Sequence, residues 1–232
     1  MAAPLRWQSR RTNKKGWKHT VKKGLFITFE GVDGCGKSTQ MRFLSEYLEE
    51  LGVEHILTRE PGGCPVAEEI RQILLSKEDK DMEDMTEALL FAAARVQHIE
   101  QVIKPALAEG KVVLCDRYLD SSVAYQGYGR LLGEDTVLNV NRYAVEHCMP
   151  DVTFFFDYRP EKAFERMNPN KERDRLEQAG EDFYDRVYEG FCCIADAQPG
   201  RVRRVNVKGT KYETKEKMRG YMDEVLAKWN AQ

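Results

Sequence analysis

Nine consecutive residues restrict this chain more than any others: Gly31-Val32-Asp33-Gly34-Cys35-Gly36-Lys37-Ser38-Thr39. Gly31 and the triplet Gly36-Lys37-Ser38 stand at the spacing G-x-x-x-x-G-K-[ST], the pattern of a phosphate-cradling loop. The flanks suit it. Residues 24–30 (Gly-Leu-Phe-Ile-Thr-Phe-Glu) form an apolar run bounded by glycine, as in a strand buried on both faces. Beyond the loop, Met41, Leu44, Leu48 and Leu51 recur at helical spacing, and Gly52 supplies a stop. Between strand and helix the glycines permit a tight turn whose N–H groups converge at the positive end of a helix. Lys37 is expected to stand exposed as a point charge for β- and γ-phosphates, with the Ser38 hydroxyl on Mg²⁺. Residues 31–39 are therefore candidate contacts of a nucleoside triphosphate such as ATP. The alternative is a glycine-rich turn that binds nothing.

The rest of the chain alternates strand and helix. Strands are expected at 54–58, 111–116, 152–157 and 201–207, the last at a sheet edge because of its arginines. Helices are expected at 66–75, 85–109, 119–127, 135–147, 160–167, 181–197 and 213–229. In the helix at 85–109, Leu89, Ala93, Val96 and Ile99 are read as the buried side. With the strand at 24–30, this predicts an α/β fold: a five-stranded parallel sheet with helices on both faces. In such sheets ligands gather outside the carboxyl ends of the strands. The phosphate loop, Arg59, Asp116-Arg117 and Asp157 all fall at those ends.

Charge separates a tail from this body. Residues 1–23 hold eight Lys/Arg and no acid, so the net charge of −2 becomes −10 over residues 24–232. The segment lacks hydrophobic periodicity and reads as a disordered tail, with nucleic-acid contact as a less favoured role. No apolar run approaches the roughly 18 residues of a membrane span, and no signal-peptide pattern is present, so a cytoplasmic protein is expected. The six cysteines lack metal-ligand spacing and read as reduced thiols.

Several residue groups could serve the loop. Asp116 closes an apolar strand where a magnesium-organising carboxylate belongs, and Arg117 offers a planar fork to a second phosphate. Arg59 ends a strand in the same way; surface ion pairs are the alternative for all three. Phe91 and Arg95 are four apart on one helix, either a packing pair or a base reader. Arg166, Lys171, Arg173 and Arg175 form a solvated loop or a cationic lid. Asn170-Lys171-Glu172-Arg173 fails the Asn-Lys-x-Asp guanine signature at its fourth position, which argues against a switch GTPase. A kinase with a small acceptor fits best.

Four segments then carry a resemblance: residues 30–39, Arg59-Glu60-Pro61-Gly62-Gly63, Phe91-Ala92-Ala93-Ala94-Arg95, and Asp116-Arg117-Tyr118 with Ser121-Ser122 and Ala124-Tyr125-Gln126-Gly127. In this order they resemble the bacterial-type thymidylate kinases, and Asp174-Arg175-Leu176-Glu177 extends the likeness into a lid at about 168–180. The resemblance covers residues 24 to about 230 and implies a P-loop nucleoside-monophosphate-kinase fold, acting as a homodimer. It implies ATP- and Mg²⁺-dependent phosphorylation of dTMP to dTDP. By position, Asp33 would face the sugar 3′-hydroxyl, Arg59 and Arg117 the dTMP phosphate, and Phe91 the thymine ring. Arg95 and Gln126 would lie at the base edges, Tyr125 against a ribose 2′-hydroxyl, and Ser122 among the substrate contacts. Ser38 and Asp116 would hold the metal. Eukaryote-like forms carry an arginine inside the loop where this chain has Gly34, so Lys37 would share the catalytic charge with lid arginines Arg166 and Arg175. Asn206-Val207-Lys208-Gly209 departs from the usual acidic version of the loop after the last strand. A kinase for another monophosphate or a deoxynucleoside, and a nucleotide-binding regulator, remain the other readings.

Overall fold

The computed structural model describes residues 23–78, 81–165, 175–176 and 179–231. Its five strands are β1 (Leu25–Glu30), β2 (His55–Arg59), β3 (Val112–Asp116), β4 (Val152–Asp157) and β5 (Val202–Asn206). All neighbours pair in parallel, in the order β2-β3-β1-β4-β5. β5 is an edge strand, as its arginines predict.

Strand alternation feeds two cores. Leu25, Ile27 and Phe29 of β1 and Val112 and Leu114 of β3 point to one face. They meet α1 (Lys37–Glu50), α9 (Glu181–Ala197) and α10 (Lys211–Asn230). Phe26, Val113 and Cys115 point to the other face, against Ile99, Ile103, Tyr118, Leu119 and Ala144. The buried run Phe154-Phe155-Phe156 belongs to a strand covered on both sides. Each such side chain stabilises the fold by about 1.5–3 kcal/mol. Thr210 opens α10 with a reciprocal cap: its hydroxyl accepts from the Glu213 N–H while the Glu213 carboxylate accepts from the Thr210 N–H.

The remaining helices are α2 (Pro65–Leu75), α3 (Asp84–His98), α4 (Lys104–Ala108), α5 (Leu119–Ser122), α6 (Glu134–Val140), α7 (Arg142–His147) and α8 (Pro160–Glu165). Three expected helices are subdivided. A π-helical turn at Ile99–Ile103 separates α3 from α4, and another at Val123–Gly129 follows α5. The expected helix at 135–147 breaks at Asn141, whose side chain turns inward to hydrogen-bond Arg95 and the Val137 carbonyl.

One prediction reverses. Of the residues read as the buried side of the 85–109 helix, only Ile99 is buried; Ala93 is exposed, Leu89 is 53% exposed and Val96 36%. The inward face of α3 instead carries Glu87, Arg95 and His98. These polar side chains find partners inside the protein beside the small Ala88, Ala92 and Ala94, so the larger apolar residues point outward.

The tail at 1–22 and most of the lid at about 168–180 lie outside the described residues. Lys23 belongs to the body: its carbonyl accepts from the Trp229 indole at 2.7 Å. No helix among the described residues is long and apolar enough to cross a membrane.

Candidate active site

The carboxyl ends of β1, β2 and β3 open into a cavity of about 420 Å³. Its lining includes Asp33, Lys37, Ser38, Arg59, Phe91, Arg95, Asp116, Arg117, Ser122, Tyr125 and Gln126, so the expected site residues converge. Gly34, Gly36 and Thr39 line it too. Gly31, Val32 and Cys35 complete the loop beneath; a Cβ on Gly31 would fall 2.9 Å from the Phe156 carbonyl oxygen. Gly36 has φ 101°, a left-handed conformation that leads into α1.

Lys37 corrects an expectation: it is 6% exposed, not a free side chain. Its ammonium donates to the carbonyls of Gly31 (2.9 Å) and Val32 (3.0 Å). A buried cation needs such partners, and the loop's own backbone supplies them. The thiol of Cys35 is raised above its ordinary pKa, chiefly by burial, and acts as packing.

The Ser38 hydroxyl donates to Asp116 Oδ2 at 2.9 Å, while Oδ1 of the same carboxylate is buried with no hydrogen-bond partner among the described residues. A lone carboxylate beside a hydroxyl and an incoming triphosphate is the donor set Mg²⁺ takes, since it keeps several waters. No cluster of three or more His, Cys, Asp or Glu suited to a metal occurs among the described residues.

Arg117 follows Asp116 with φ 67°, an uncommon conformation for a non-glycine residue. Its N–H donates to the Phe29 carbonyl, and the next N–H, of Tyr118, donates to Glu30 Oε1 at 2.8 Å. Glu30 also accepts from the Ser121 hydroxyl at 2.5 Å. Burial and the nearby Asp120 push the Glu30 carboxyl up to about 7, against the pull of Ser121, Arg117 and the Tyr118 N–H. So fixed, Arg117 donates to the Gly31 carbonyl (3.0 Å), Ser121 (3.1 Å) and Asp33 (2.8 Å). Burial works against its charge, yet Asp33 and its other neighbours hold the pKa above the ordinary value. The Tyr125 hydroxyl reaches Asp33 at 3.4 Å.

Arg95 is held on almost every side. Its Nε donates to Glu60 at 2.7 Å, Nη1 to Ser122 and Asn141, and Nη2 to the Tyr118 carbonyl. A guanidinium has five donors, and four are used here; the fifth, on Nη2, remains for the cavity. Glu60, just before the cis peptide to Pro61, also pairs with His98 Nδ1 at 3.0 Å.

Arg59 pairs with Glu68 at 2.9 Å. Beside it Arg71, which the sequence reading passed over, lines the cavity and donates to the Pro61 carbonyl. Its signal was the three-residue spacing from Glu68 on α2. Glu87 was missed as well, although Glu87, Phe91 and Arg95 stand at i, i+4 and i+8 on one helix. A second cavity of about 280 Å³ lies beside Gly36 and Thr39; Val207 and Gly209 of the loop after the last strand line it, together with Gln40, Thr210, Lys211 and Thr214, which the sequence did not single out. Arg166 lies outside the described residues. Arg175 is not in the cavity lining; its Nη2 lies 2.7 Å from Glu87 Oε2 as an off-axis ion pair, and its Nε donates to the Leu74 carbonyl.

The sequence profile of thymidylate kinase matches residues 29–218. The chain belongs to the thymidylate kinase family. It is 48% identical over 187 residues to the thymidylate kinase of Oceanobacillus iheyensis, covering 80% of this chain and 83% of that one. With the thymidylate kinase of Clostridium novyi it shares 41% over 204 residues, 87% of this chain and all of that one. A crystal structure of thymidylate kinase from Ehrlichia chaffeensis superposes with a TM-score of 0.70 at 33% identity, covering 86% of this chain and 98% of that one. As a thymidylate kinase, the chain phosphorylates dTMP to dTDP, and the family uses ATP.

Proposed function

We propose that the first cavity brings together both reacting groups, the triphosphate on residues 31–39 and dTMP between Arg59, Arg117 and the inward face of α3. The observation that carries this is the convergence of Lys37, Asp116, Arg117 and Arg95 on one cavity. The adenine end of ATP fits the second cavity, beside Val207, Thr210 and Lys211. Ser38 and Asp116 would hold Mg²⁺, which when bound neutralises phosphate charge.

Chemistry then asks little of any side chain. A phosphate oxygen of dTMP is already an anion, so no general base is needed. That oxygen forms a bond to the γ-phosphorus as the bond to the β–γ bridging oxygen breaks, leaving ADP. The protein contributes alignment and fixed positive charge. Arg117 and Arg59 orient the acceptor phosphate, Asp33 the sugar 3′-hydroxyl, and Tyr125 and Ser122 wall the sugar side. Phe91 stacks on the base, and Arg95 offers its remaining donor to the carbonyl of thymine.

Base selection gives a direct test. Initial rates of ADP release with dTMP, dUMP and dCMP should separate dUMP only modestly, since one methyl in an apolar pocket is worth roughly 1–3 kcal/mol. dCMP should be far poorer, because Arg95 would meet an amino group. Equal kcat/KM for dTMP and dCMP would remove the proposed pocket.

The proposal extends to a homodimer. Leu89, Ala93 and Val96 form an exposed stripe on α3, and Val66 and Ile73 extend the exposed apolar surface on the adjoining α2. Leu89→Glu should shift the sedimentation coefficient from dimer to monomer. A parent protein that sediments as a monomer at micromolar concentration contradicts this.

A further inference from the structure

We propose that Glu87 is a positioning residue for base discrimination: its carboxylate fixes the Gln126 amide so that the amide oxygen faces the base. This rests on the base pocket proposed above. Glu87 is fully buried on the inward face of α3, one turn before Phe91 and two before Arg95. Oε1 accepts from Gln126 Nε2 at 2.8 Å. Arg130 donates to both oxygens, and the Arg175 guanidinium lies 2.7 Å from Oε2.

A carboxylate flanked by two guanidinium groups accepts hydrogen bonds and offers none. Only the NH₂ end of a glutamine amide can face it. Gln126 is 1% exposed and lines the cavity, and its Oε1 receives no hydrogen bond from the described residues. The oxygen is thus left as an acceptor for the substrate.

That polarity matches one class of base. Thymine and uracil carry a proton on N3, which the oxygen can accept; cytosine carries a lone pair there, which it repels. Arg95 reads the neighbouring exocyclic group with the opposite polarity, so the two contacts specify adjacent positions of one edge. A freely rotating amide would accommodate either base. Glu87 removes that freedom without touching the substrate.

The experiment measures kcat/KM for dTMP and dCMP on the parent, Glu87→Gln and Glu87→Asp, each repeated with Gln126→Met. Circular dichroism and Tm establish which variants fold. Glu87→Gln can meet either end of the Gln126 amide, and Glu87→Asp falls short by one carbon–carbon bond, about 1.5 Å. Each should lower the dTMP-to-dCMP ratio by about tenfold or more, and the change should vanish in the Gln126→Met background. A residue that only supported the fold would lower both rates together. A ratio within about threefold of the parent in a folded variant overturns the proposal. Should neither variant fold, a crystal structure of the parent with dTMP decides: the Glu87–Gln126 contact must persist, and its loss overturns the assignment. The parent's own preference for dTMP is read first, so failure of the base pocket itself is seen separately.

Discussion

Lys37→Ala is expected to reduce kcat by about 10³-fold or more, because it removes the one loop cation that can follow charge onto the transferring group. Deleting a single oxyanion donor costs about 10²–10³ in kcat, and a full positive charge on the β- and γ-phosphates does more. The structure adds a second consequence. Since the ammonium is buried on the Gly31 and Val32 carbonyls, its loss strips the Val32 carbonyl of its donor, at about 1–3 kcal/mol, while the Gly31 carbonyl keeps Arg117. A lower Tm should therefore accompany inactivity. Saturating ATP restores turnover if Lys37 serves only ground-state binding; a Lys37→Ala enzyme with near-parental kcat would remove the basis of the mechanism.

Arg166→Ala should have the next largest effect, a loss of about 10³ in kcat with KM for dTMP nearly unchanged, at the lower end of what arginine fingers supply. Gly34 gives the phosphate loop no side-chain charge. Of the arginines lining the cavity, Arg59, Arg95 and Arg117 bind protein carboxylates and Arg71 donates to the Pro61 carbonyl. Arg175 is drawn to Glu87, so Arg175→Ala should cost less than Arg166→Ala. Gly34→Arg should rescue part of the Arg166→Ala defect. Full rescue is not expected, because Gly34 has φ 80° and a side chain there costs about 1–2 kcal/mol. If Arg166→Ala keeps kcat within about threefold of the parent, the charge has another source.

The sheet was legible because strands buried on both faces leave unbroken apolar runs, as in Phe154-Phe155-Phe156, and glycine marks the loop that must curl around phosphate. Phe91, Arg95, Arg117 and Gln126 were legible as a set through family likeness rather than through periodicity. What escaped was what polar residues do to periodicity. On α3 the polar Glu87, Arg95 and His98 are buried on hydrogen-bonding partners on the inward face, so the apolar stripe Leu89-Ala93-Val96 faces outward. Burial of Lys37 was also unreadable, because its partners are backbone carbonyls and leave no mark in residue types. The π-helical turns that break the long helices have no composition signal of their own.

The Gly31 carbonyl accepts from both Lys37 and Arg117. In the proposed mechanism Lys37 serves the donor nucleotide and Arg117 the acceptor, and both are tethered to the same oxygen atom. On that reading the Gly31 peptide is a reference point shared by the donor and acceptor sides of the site. A displacement of the Gly31 peptide would therefore be felt by both cations at once. On the proposed mechanism the lid's share of the work would be to exclude water and add charge, with the line of attack already set by the two tethered cations.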